Sequence, residues 1–288
     1  MNKKWTLPTL VLALGLTVSL TPANLFAQGT LTPPGAPAPT MKTLDQIEAR
    51  TPVDATHTPG DGFSLFVIRT PGAYYLASNI VGVANQRGIE IRANNVTLDL
   101  NGFSLLGVSN AASGILVVNT CTNVTIHNGM ISGWGNGYHA IRGLGRNLTL
   151  ERLSITGNSF GLMGSGGDVI RDCLVSGNQR DGIEVFGSHS LVANNNVTQN
   201  NLQAGPGNAS ISVIGSNNRI EGNHVVGAGG GFGILCNFGS YTNNIFIKNS
   251  VIGNGANNYS ITSGNIVGPF LNTTDTITNS NPWANFSF

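Results

Sequence analysis

A small residue followed by isoleucine or leucine returns through most of this chain: Gly88-Ile89, Gly114-Ile115, Ala140-Ile141, Gly161-Leu162, Gly182-Ile183, Ser210-Ile211, Gly233-Ile234 and Ser260-Ile261. The separations are 26, 26, 21, 21, 28, 23 and 27 residues, a mean of about 25. A second strand-like element recurs as Val96-Thr97-Leu98, Val124-Thr125-Ile126, Leu148-Thr149-Leu150 and Asn218-Arg219-Ile220. A third ends in a glycine turn: Ile131-Ser132-Gly133, Ile155-Thr156-Gly157-Asn158, Val175-Ser176-Gly177-Asn178 and Val251-Ile252-Gly253-Asn254. A fixed period of roughly 20–50 residues signals a solenoid. Each repeat reads as three short strands of alternating polarity joined by Gly/Asn turns. No helical stretch separates the strands, which excludes leucine-rich and ankyrin repeats.

The physical solution is a β-helix, an all-β fold. One coil cannot bury its inner face alone, so the core forms only by stacking coils. Parallel pairing at about 4.8 Å puts each isoleucine over the last, and eight three-stranded coils span about 38 Å. The composition agrees. Glycine (39) and asparagine (36 residues) make up about a quarter of the 288 residues, and charged residues only 9%. Asparagine suits the corners because it tolerates left-handed backbone and can hydrogen-bond its neighbour in the next coil. The near-zero net charge of +1 offers no basic footprint for nucleic acid.

With the coil pattern over residues 87–265, the chain resembles right-handed parallel β-helix repeat proteins of the pectate-lyase-like superfamily. Gly88-Ile89-Glu90-Ile91 followed by Asn95-Val96-Thr97-Leu98-Asp99-Leu100-Asn101-Gly102 is similar to the opening of bacterial members. The resemblance, with the crossover rule for parallel strands, implies right-handedness. It implies no single activity, because the fold carries lyases, hydrolases, epimerases and non-enzymes alike. The Asn-Thr-Asp, Asp-Asp and Gly-His-Gly elements of polygalacturonase-like enzymes are absent. So are the Asp-Pro-His core of alginate epimerase-like enzymes and the Trp-x-Asp-His element of pectate lyases. No catalytic residue is carried over from the resemblance.

Outside the repeats, residues 1–27 read as a signal peptide. Lys3 and Lys4 precede an apolar stretch from Leu7 to Leu20, too short for a comfortable membrane span, with cleavage after Ala27 or Ala23. The mature chain is then expected to be secreted or periplasmic, free of the membrane, and monomeric. Residues 28–40 form a Pro-rich linker. Met41–Arg50 predicts a short N-terminal capping helix within a cap and first-strand region over 41–86. Residues 266–288 end the chain as a cap, or as a partner-docking tail, with Trp283, Phe286 and Phe288. Cys121, Cys173 and Cys236 read as buried small hydrophobes.

The residue after each isoleucine should point outward. That column reads Glu90, Leu116, Arg142, Met163, Glu184, Ser212, Leu235 and Thr262. With the positions before the isoleucine, the middle coils gather His139, Arg142, Asp181 and Glu184 as candidate catalytic residues. Trp134, Tyr138, Phe160, Arg180 and Phe186 are candidate substrate-binding residues. Arginine would neutralise a uronic acid, an aromatic face would stack on a sugar ring, and His139 would abstract a proton. This points to binding, and cleavage by β-elimination, of an acidic polysaccharide. The alternatives are a solvated face on a non-catalytic glycan-binding module or a surface structural protein.

A second charged column, Asp99, His127, Glu151, Arg152, Arg171, Asp172, Glu221 and Lys248, reads as a ladder of ion pairs, with Glu151 over Arg171 and Arg152 over Asp172. Its functional alternative takes Arg171 or Lys248 as a base. Asp99 reads as a turn former rather than a calcium ligand. No cofactor is evident, and calcium stays open but without a ligand set to support it.

Overall fold

The structure is a computed structural model that describes residues 49–203, 207–237, 239–272, 276–277 and 279–288. The expected signal peptide, the expected linker and all but the last two residues of the expected capping helix lie outside the described residues. No helix occurs among the described residues.

The chain coils into a parallel β-helix of nine rungs. One sheet takes a strand from each rung, from Ser64–Ile68 through Arg87–Ile91, Ile115–Val117, His139–Gly143, Phe160–Gly164, Ile183–Val185, Ala209–Val213 and Phe232–Cys236 to Asn257–Ile261. All of these pairings are parallel. The other two strands of each rung form a second, larger sheet. Three inward columns meet at the axis. The first is Ile89, Ile115, Ile141, Leu162, Ile183, Ile211 and Ile234, all fully buried. The second runs Leu98, Ile126, Leu150, Ile170, Val192, Ile220 and Phe246. The third runs Leu105, Ile131, Ile155, Val175, Val197, Val225 and Val251. Each buried aliphatic side chain contributes about 1.5–3 kcal/mol of transfer free energy.

The small residue before each isoleucine also faces inward, toward the third column. A Cβ on Gly114 would lie 2.9 Å from Ile131 Cγ2, and one on Gly233 would strike Val251 Cγ1. The chain turns a corner there, so two consecutive side chains enter the core and only a small first one fits.

The register corrects the sequence pattern at both ends. Phe66 pairs with Ile89, adding a rung that precedes the eight expected. At the other end Tyr259, not Ile261, lies over Ile234, so Ser260 and not Thr262 continues the outward column.

The corners pair a left-handed residue with a buried asparagine. Residues just before the corner amides adopt left-handed backbone: Gly157, Gly177 and Gln199 in one line, and Asn194, Gly222 and Lys248 in another. The asparagine that follows each is buried and hands its amide along the stack. Asn158 Nδ2 donates to Asn178 Oδ1 (3.1 Å), and Asn178 Nδ2 to Asn200 Oδ1 (2.8 Å). Asn195, Asn223, Asn249 and Asn285 form a second ladder, and Asn218, Asn244 and Asn265 a third. Asn285 brings the C-terminal strand Asn285–Ser287 onto Ser250–Ile252, so the terminal residues continue the stack. Trp283 stays half exposed, with Lys248 Nζ 4.8 Å from its ring centre. The three cysteines are buried and free.

Candidate functional site on the outer face

The outward column is ordered by strand pairing: Leu116, Arg142, Met163, Glu184 and Ser212 lie side by side on consecutive rungs. His139 stands over Phe160, one corner away on the same sheet. The chain therefore brings together residues up to 45 positions apart. His139 Nε2 lies 2.7 Å from Glu184 Oε2, bridging two rungs. Both side chains are mostly buried, at 12% and 14% exposure. The His139 ring packs against Phe160 at 4.7 Å between centres.

Asp181 closes this cluster from behind. Its Oδ1 accepts the Ala209 N–H at 2.7 Å, and its carboxyl hydrogen-bonds that of Glu184. Two neighbouring carboxyls cannot both ionise cheaply in a buried setting. Burial, reinforced by the Glu184 charge, pushes Asp181 up to about 8. Glu184 also meets a burial penalty, but hydrogen bonding and charge from His139, with help from Asp181, outweigh it and hold Glu184 below its usual range. At neutral pH the pair is thus a protonated Asp181 donating to an ionised Glu184. Facing an ionised carboxylate, Nε2 carries the hydrogen and donates it to Glu184 Oε2, which leaves Nδ1 as the ring nitrogen directed away from this contact.

These groups line a shallow depression of about 540 Å³, with Tyr138, Arg142, Phe160, Met163 and Phe186 around it. Tyr138 and Phe186 are exposed. Arg142 lies 5.7 Å over the Tyr138 ring and Arg180 5.2 Å over Phe160. Of the nine candidates, the structure brings His139, Arg142, Glu184, Tyr138, Phe160 and Phe186 into the depression. Asp181 supports it from beneath, and Arg180 flanks it. Trp134 is the correction. It is 2% exposed, donates Nε1–H to Leu105 O at 2.9 Å and packs in the core, so it has no face for a ligand.

In the second charged column Glu151 pairs with Arg171 as expected, but Glu221 pairs with Arg219 and Lys248 with the Trp283 ring, so the column is not one continuous ladder of ion pairs. Arg171 donates to Glu151 Oε2 at 2.9 Å through Nε, and Nη2 reaches the same oxygen. Arg152 does not sit on Asp172; it turns to Glu151 Oε1 at 2.8 Å. Both Arg152 and Asp172 hold left-handed backbone. Asp99 forms the expected turn, accepting the Asn101 N–H at 2.7 Å, with Arg50 Nη1 at 2.6 Å on its other oxygen.

No family model matches this sequence, and no curated protein matches it. Among solved structures, the crystal structure of Dettilon tailspike protein (gp208) is similar, with a TM-score of 0.56 at 17% identity. The match covers 73% of this chain and 46% of that one, so this chain spans about half the length of its structural relative. The likeness is one of fold, and with the pairing described above it makes this chain a parallel β-helix repeat protein.

Proposed function

We propose that this protein binds an acidic polysaccharide along the outer face of the first sheet, over the depression at His139, Arg142 and Glu184. The parallel stack presents a long, regular outer face along which an extended polymer can lie. Arg142 supplies an unneutralised cation for a uronate carboxylate. Tyr138, Phe160 and Phe186 supply faces on which a sugar ring stacks, burying its apolar C–H surface.

The single observation that carries the reading is the 2.7 Å contact of His139 with Glu184 at the floor of this depression. It also favours a second step, cleavage by β-elimination. Glu184 fixes the imidazole tautomer, His139 Nδ1 takes the proton beside the sugar carboxylate, and Arg142 stabilises the charge that develops on that carboxylate. The electron pair of that C–H bond forms the ring double bond as the C–O glycosidic bond breaks, the leaving oxygen takes a proton from solvent or back from His139, and an unsaturated sugar end remains. In this reading the protein is exported and meets its polymer outside the cytoplasm.

The test is to incubate the purified protein with pectate, alginate and other acidic polysaccharides, with and without calcium. Ultraviolet absorbance of unsaturated ends and release of reducing ends are followed beside a direct binding assay. Binding with rising absorbance supports both steps. Binding without product leaves a glycan-binding module, and no binding across the panel overturns the reading.

A further inference from the structure

A second depression of about 260 Å³ adjoins the first and shares Tyr138 and Arg142 with it. Its lining is different in character. Arg87 and Arg142 enter it with Asn85, Asn110, Ser113 and Asn136, and Phe63 closes one side. Among the described residues no carboxylate lines it, and Arg142 makes no ion pair. Arg87 has one contact to a carboxylate, Nη1 to Glu90 Oε2 at 3.3 Å. Glu90 is already satisfied by Arg92 Nε (2.7 Å) and Ser64 Oγ (2.7 Å), so Arg87 is its weakest partner. The asparagine wall is built by the corners of consecutive rungs. Asn136 Nδ2 donates to Asn110 Oδ1 at 3.1 Å, and Asn85 and Asn110 hold left-handed backbone. Two guanidinium groups line one small polar hollow with a single carboxylate beside them, Glu90, which is already shared with Arg92 and Ser64, and an anion between them relieves the repulsion that remains.

We infer that this hollow is an anion subsite, adjoining the His139–Glu184 depression through Tyr138 and Arg142, that holds a further acidic substituent of the same polysaccharide. The inference rests on the proposed function and deepens it. Arg87 lies on the second rung, Arg142 on the fourth and Glu184 on the sixth, so the two hollows are centred about two rungs, or about 10 Å, apart. A ligand that fills both runs parallel to the helix axis. It stacks one ring on the aromatic side and places an anionic group, a uronate carboxylate or a sulfate ester, between Arg87 and Arg142. A disaccharide reaches only one hollow; a tetrasaccharide reaches both.

The experiment measures affinity of the full protein for oligogalacturonates of two, three, four and six units, and for sulfated galactan oligomers of the same lengths. Affinity should climb between the dimer and the tetramer and then level off. Arg87→Ala should lower tetramer affinity about tenfold, toward that of the dimer, and Arg87→Lys should restore most of it. Whichever series shows this dependence identifies the anion as carboxylate or sulfate. Tetramer binding that Arg87→Ala leaves unchanged, in a variant with wild-type circular dichroism, overturns the subsite while the proposed function stands. Failure of every oligomer and of the parent polymers to bind overturns both.

Discussion

His139 Nε2 and Glu184 Oε2 meet at 2.7 Å although two turns of the solenoid separate them. Neither residue reaches the other along its own rung. Strand register alone makes the contact, with Phe160 and Met163 holding the rung between. The site is therefore a property of the stack, and its chemistry depends on partners that different coils supply.

If cleavage occurs, Glu184→Gln removes the charge that fixes the His139 tautomer, and His139→Ala removes the base. Each should lower kcat by about 100-fold or more, the usual contribution of a positioned general base. Steady-state rates of unsaturated-end formation check this. Equal kcat in the variants and wild type would remove the dyad from the reaction.

Asp181 makes stability depend on pH in a direction opposite to that of most carboxylates. Its value is raised on folding, so the folded state keeps a proton that the unfolded chain releases above about pH 4. Its contribution is complete below that value and is lost as pH rises toward about 8. Asp181→Asn keeps a neutral donor toward Glu184 and an acceptor for the Ala209 N–H. Tm measured from pH 5 to 9 should fall less steeply in the variant than in wild type. Parallel curves would contradict the assignment of the proton to Asp181.

The asparagine ladders tie the rungs together. Asn178 donates to Ile155 O and Asn200 Oδ1 while accepting from the Asn158 backbone and side chain. Asn178→Ala leaves several buried groups unpaired and should cost about 3 kcal/mol. Denaturant unfolding measures it, and a loss below about 1 kcal/mol would show that water replaces the ladder.

Trp134 separates a core role from a ligand role. Trp134→Phe loses the hydrogen bond to Leu105 O and leaves unfilled volume, so stability should drop by about 2 kcal/mol. Polysaccharide affinity should not change, and calorimetry with a parallel binding assay tests both halves.

The coil, its three strands and most of its register are legible in the sequence because the inward isoleucine requires a small residue before it. Where that signature fails, so does the reading. Leu65 stands where a small residue usually precedes the inward position, which hides the first rung, and Ser260-Ile261 mimics the signature two residues beyond the true partner Tyr259. The gathering of His139, Arg142 and Glu184 follows from register and is also legible. The fate of Trp134 is not, because it follows Gly133 at a positive-φ turn that sets its direction, and no periodicity reports on that. Arg87 and the asparagine wall escape sequence reasoning for a related reason. Their hollow exists only where corners of consecutive rungs leave space, and the asparagines that line it have the same composition as those that build the ladders.

The most direct test of the account compares two arginines on different faces. Arg142 lies in the outer depression with no carboxylate partner among the described residues, whereas Arg171 is held by Glu151 on the second sheet. Binding of an acidic polysaccharide is measured by affinity electrophoresis for wild type, Arg142→Ala and Arg171→Ala at two salt concentrations. The account predicts about tenfold weaker binding for Arg142→Ala, a smaller salt dependence, and wild-type affinity for Arg171→Ala. Equal affinity for all three proteins, or a loss confined to Arg171→Ala, would contradict it.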